Sequence, residues 1–142
     1  MLNYNNLDRN GDSLLMTKIK CPKCQGSLES VVYANIEVER CTDCKGIWFD
    51  SQEAQKLKKI KGSETIDIGD AKIGSKFNQI ADINCPKCQT RLTKMVDNKQ
   101  SHIWYEKCPV CSGIWFDAGE FKDYKQKGIS DIFKGLFGRE RR

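Results

Sequence analysis

The chain has 142 residues, with 24 Lys or Arg against 19 Asp or Glu, eight cysteines and one histidine. No apolar run approaches the roughly 20 residues that a membrane-spanning helix needs. Residues 1–20 are polar and mixed in charge, so they do not read as a secretory signal, and the expected compartment is the cytoplasm.

Residues 1–20 read as a flexible lead-in, and Met16 is a candidate start with 1–15 an extension. The first organised segment, 21–61, opens with Cys21-Pro22-Lys23-Cys24 and carries a second pair, Cys41 and Cys44. A C-x-x-C pair sets two thiolates on one tight turn, and two facing turns complete a tetrahedral four-sulfur site. Between the pairs, Ser27–Tyr33 and Ile36–Arg40 alternate in polarity and are rich in β-branched residues, a hairpin turning near Ala34-Asn35.

Residues 62–84 join the two halves. Glu64, Asp67, Asp70 and Asp82 outnumber Lys72 and Lys76, and Ile66, Ile68, Ile73, Phe77, Ile80 and Ile83 make the segment too apolar for a free linker. Part of it is expected to pair as a strand or pack on a ribbon. The second segment, 85–127, repeats the first: Cys85-Pro86-Lys87-Cys88, then Cys108 and Cys111. Its strands are expected near Arg91–Val96 and His102–Lys107, with the turn at Asp97–Gln100. The first and third cysteines are 23 residues apart against 20 in the first copy, so this hairpin is three residues longer.

Two complete four-cysteine sets in a chain without a secretory signal indicate two zinc ions, one per copy, rather than disulfides. Segments of about 40 residues need such a metal to hold a core. The formal net charge of +5 counts each cysteine as neutral. A zinc ion bound by four thiolates carries −2, so two filled sites leave +1, and charge alone does not direct this chain to nucleic acid.

After each set the same phrase recurs, G-I-W-F-D-x-x-E, at 46–53 and 113–120. Asp50, Glu53, Asp117 and Glu120 resemble catalytic acids, but a capping box at the start of a helix accounts for them better. Ala54, Leu57 and Ile60 follow one copy at helical spacing, and Phe121 and Tyr124 the other. Four cysteines also leave no open metal position for catalysis. Trp48, Phe49, Trp115 and Phe116 are read as core rather than as a platform for bases. His102, the only histidine, is read as a surface strand residue without a role.

The pattern C-P-x-C…C-x-x-C-x-G-I-W-F-D-x-x-E, at Cys21–Glu53 and Cys85–Glu120, resembles the bacterial transcription-factor-IIB-type zinc ribbon family. The second copy, ending D-A-G-E-F at 117–121, is the closer match. Thr42-Asp43 stands where that copy has Pro109-Val110, a difference confined to turn residues. The resemblance implies four cysteine ligands per zinc in each copy. It sets a fold rather than an activity.

In the tail, 128–142, Ile129, Ile132, Phe133, Leu136 and Phe137 form one apolar helical face, followed by Arg139, Arg141 and Arg142. The expected architecture is a small metal-stabilised α+β protein. It comprises two tandem zinc ribbons, each a β-hairpin between two knuckles followed by a short helix, plus this amphipathic helix. The expected function is non-enzymatic: a macromolecular interaction module whose partner is a protein bound by the helix 129–137 or by the ribbon surfaces. DNA or RNA binding through Lys56, Lys58, Lys59, Lys61, Lys122, Lys125 and Lys127 is the alternative. Iron or dithiol redox chemistry is a lesser one, and contact with a membrane surface is weaker still.

Overall fold

The computed structural model describes residues 19–80, 82–97, 99–100 and 103–125. The expectations for Met16, His102, Lys127 and the tail helix 129–137 with its arginines fall outside those residues.

Each copy supplies three antiparallel strands. The first hairpin joins β1 (Leu28–Tyr33) to β2 (Ile36–Cys41). Its two turn residues, Ala34 (φ 52°) and Asn35 (φ 66°), both lie in the left-handed region, as a two-residue turn matched to strand twist requires. β3 (Ile47–Phe49) then returns beside β2 and leads into α1 (Glu53–Lys58). The second copy contributes β4 (Thr93–Val96), β5 (Trp104–Lys107), β6 (Ile114–Phe116) and α3, residues 120–125.

The two copies are not beads on a string. β3 pairs with β6, giving one six-stranded sheet in the order β1-β2-β3-β6-β5-β4. Ile47 faces Phe116, Trp48 faces Trp115 and Phe49 faces Ile114, so the repeat is folded about an approximate two-fold axis at the tryptophan pair. The I-W-F strands were not foreseen, because three apolar residues are too short a run to separate a strand from a core stretch beside a knuckle.

Strand alternation sorts the two faces. Ile47, Phe49, Ile114 and Phe116 point to one side, where Val38, Leu57, Ile66, Ile103, Phe121 and Tyr124 close the main core. Phe49 meets Phe116 edge-to-face at 5.7 Å between centroids. Trp48 and Trp115 point to the other side, among the cysteines, Ile83 and Leu92. All four aromatics of the repeated phrase are 0–2% exposed, so the core reading holds.

The joining segment packs on the ribbons as helix rather than strand. It forms a 3-10 turn (Ser63–Ile66) and α2 (Ala71–Phe77), with Ile66 entering the main core and Phe77 lying against the metal-side cluster.

Candidate metal centres and the lock between them

Cys21, Cys24, Cys41 and Cys44 converge, as do Cys85, Cys88, Cys108 and Cys111; within each group the sulfurs lie within 4.8 Å of one another. Separations of 3.7 Å (Cys21–Cys44), 3.4 Å (Cys24–Cys41) and 3.8 Å (Cys85–Cys111) are far beyond a disulfide bond. They approach the edge of about 3.8 Å for a tetrahedron with Zn–S bonds of about 2.3 Å.

The local chain is built to hold thiolates. Amides of Lys23 and Cys24 donate to the Cys21 Sγ, those of Asp43 and Cys44 to Cys41, those of Lys87 and Cys88 to Cys85, and those of Val110 and Cys111 to Cys108. Gln25, Lys45, Gln89 and Ser112, each just past a C-x-x-C pair, take positive φ to close these turns.

The thiols share protons unequally. The hydrogen bond with Cys44, then burial, raises Cys21, and the same bond lowers Cys44 to about 6. Burial pushes Cys85 up to about 12. A cation that accepts four thiolates removes this competition, so binding releases protons. Each group fits one zinc ion. Four sulfurs fill a tetrahedral shell, which is the arrangement of a structural site.

The capping expectation needs correction. The residue before α1 is Gln52, in a left-handed conformation with no side-chain cap bond. Glu53 does reach back to the Asp50 amide at 3.1 Å, so half of a capping box exists in the first copy. The Asp50 carboxylate instead accepts from Trp48 Nε1 at 3.1 Å and from Lys87 Nζ at 3.0 Å. In the second copy Asp117 accepts from Trp115 Nε1 at 3.0 Å and from Lys23 Nζ at 3.2 Å. The amides at the start of α3, Gly119 and Lys122, are capped by Asp67 of the joining segment, both at 2.9 Å.

The aspartates are therefore halves of a reciprocal lock. The lysine inside each C-P-K-C turn crosses to the other ribbon. Lys23 Nζ lies 3.2 Å from both Glu106 and Asp117 and donates to the Phe77 carbonyl at 2.6 Å, and its side chain is fully buried. Lys87 Nζ lies 3.0 Å from Asp50 and 3.5 Å from Glu39, with 31% of its side chain exposed. Glu39 and Glu106 stand directly opposite Trp48 and Trp115 in the sheet, which aligns both carboxylate pairs on the metal face.

The glycines of the phrase complete the lock. A Cβ on Gly46 would overlap the Trp115 indole, and one on Gly113 would overlap that of Trp48. Sequence reasoning singled out neither the lysines nor Glu39 and Glu106, although the signal was present. Lys sits between the knuckle cysteines in both copies, and Glu stands two residues before the third cysteine in both.

The basic residues divide. Lys125 is 6% exposed and pairs with Glu64 at 3.1 Å, and Lys58 lies 3.9 Å above the Tyr124 ring. Lys56, Lys59, Lys61 and Lys122 are exposed. Among the described residues no helix is long and apolar enough to cross a membrane.

Comparison with curated proteins and with solved structures returned no match. The transcription factor zinc-finger model matches residues 20–60 and again 84–127, more than half of the chain, each match enclosing one complete cysteine set and one copy of the repeated phrase. This chain belongs to the transcription-factor-IIB-type zinc ribbon family, of which it carries two copies.

Proposed function

We propose that this protein is a non-enzymatic zinc-ribbon module of the cytoplasm that binds another protein, using the open edge of the second ribbon. The observation that carries this reading is the state of β4. All four of its residues are exposed, and among the described residues no strand pairs with its outer side. Met95, Val96 and the facing Trp104 are 36–40% exposed there. An unpaired edge offers backbone donors and acceptors to an added strand, and an adjacent tryptophan is a favoured anchor for a protein partner. Closed four-sulfur sites support a structural rather than catalytic role for the metal.

Nucleic-acid binding remains the second reading, favoured by exposed Lys56, Lys59, Lys61 and Lys122. Two features count against it. The aromatics of the repeated phrase are buried and unavailable for stacking. Lys125 and Lys58 are engaged within the fold.

Anisotropy of labelled DNA and RNA with zinc-loaded protein at low and physiological salt separates the two readings. The protein-binding reading predicts no binding at low salt. It also predicts discrete protein adducts in cells from a photo-crosslinker at Met95 and none from one at exposed Gln55. Micromolar binding that weakens steeply with salt replaces it with the nucleic-acid reading.

A further inference from the structure

We propose that the two metal sites load cooperatively, because the lysine held in each C-P-K-C turn neutralises a carboxylate pair belonging to the other ribbon. Lys23 lies between ligands Cys21 and Cys24, and the turn that aims it is closed by amide bonds to the Cys21 sulfur. Its Nζ enters the second ribbon and meets Glu106 and Asp117, whose side chains are 4% and 2% exposed. Lys87, between Cys85 and Cys88, meets Glu39 and Asp50 of the first ribbon in the same way.

A small ribbon does not keep its knuckle ordered without metal. An empty first site therefore releases Lys23 and leaves Asp117 buried without a cation and Glu106 with Lys94 alone at 3.4 Å, a costly arrangement beside the second site. The converse holds for Lys87. The two carboxylates are tied one to each site. Glu106 is two residues from Cys108, and Trp115, which donates to Asp117, seats on Gly46 next to the first site. Metal at either site thus favours the arrangement that the other needs, and linkage makes this effect equal in both directions.

Native mass spectrometry of the full-length reduced apo chain, titrated with zinc to one equivalent, tests the idea. Two equal independent sites put about half of the molecules in the one-zinc form, and unequal ones put more there. Tenfold coupling lowers that share to about a quarter. The expected spectrum is dominated by apo and two-zinc species, and a one-zinc share of half or more overturns cooperative loading.

The Lys23→Met, Lys87→Met double variant is expected to return the share to about half. Should that variant not take up metal, Lys87→Met alone serves, since its pair is partly solvated. It is expected to raise the one-zinc share measurably. Cooperativity unchanged in whichever variant loads assigns the coupling to the β3–β6 pairing and overturns the lysine lock.

Discussion

The two ribbons carry one motif in unlike surroundings. Lys23 and Lys87 occupy equivalent positions and meet equivalent acids, yet Lys23 is fully buried and Lys87 is 31% exposed at its side chain. Among the described residues the difference comes from the joining segment, which touches Lys23 and has no counterpart there beside Lys87. Its Phe77 carbonyl accepts a third bond from Lys23, and its Asp67 caps α3, whereas α1 begins without a side-chain cap. Repeated sequence sets the pairing pattern, and the unrepeated linker decides how much water each half of the lock retains. Equivalent substitutions in the two copies should therefore separate by what the linker touches.

Loss of metal is the largest effect expected. Chelation, or Cys→Ser at any one of the eight ligands, should remove the sheet signal in circular dichroism around that site, since structural zinc contributes on the order of 10 kcal/mol to such folds. Retention of the native spectrum with stoichiometric zinc after Cys21→Ser would remove that thiol from the ligand set.

The lysine pair gives the sharpest contrast. Lys23→Met leaves buried Asp117 without a cation and Glu106 with only the partly exposed Lys94, and should cost about 3–5 kcal/mol in denaturant unfolding of the zinc-loaded protein. Lys87→Met should cost only about 1 kcal/mol, because solvent screens a half-exposed pair. Equal losses would show that the linker does not distinguish the two locks.

Gly46→Ala and Gly113→Ala should behave alike, each losing about 1–3 kcal/mol, because in both a methyl group displaces the opposite indole. Asp67→Ala should destabilise by about 1–2 kcal/mol through the cap of α3. Hydrogen exchange should rise at Gly119 and Lys122 and stay unchanged in α1.

The smallest effect concerns Glu120. Burial, with Asp117 and Asp123 adding to it, raises its carboxyl to about 7. A folded value above the unfolded one means that its stabilising contribution is complete below about pH 4.5 and is lost as pH rises towards 7. After allowance for its partial exposure, Glu120→Gln should gain about 0.5–1 kcal/mol more at pH 8 than at pH 6, with zinc saturating at both. Glu53, raised by burial in the same direction, makes the parallel test in ribbon one.

Much of this was legible in the chain. Cysteine spacing located both metal groups, and polarity alternation located the outer hairpins, because metal geometry and strand period each leave a local signature. The fused sheet was not legible. I-W-F is three residues long, and its pairing partner lies 67 positions away in an identical phrase. Asp50 and Asp117 fit the local template for a cap, and that template lost to a long-range cation and to the neighbouring indole. The cap of α3 comes from Asp67, a residue that no local pattern near 117–120 can point to. Sequence shows which residues repeat, but repetition alone does not say whether a copy contacts itself or its twin.

That distinction rests on the glycine–tryptophan contacts, which nuclear magnetic resonance of the zinc-loaded protein reads directly. The interlocked fold predicts upfield ring-current shifts for the Hα atoms of Gly46 and Gly113. It also predicts Overhauser effects from Gly46 to Trp115 and from Gly113 to Trp48. Glycine shifts at ordinary values, with each indole showing contacts only within its own ribbon, would contradict the single interlocked sheet.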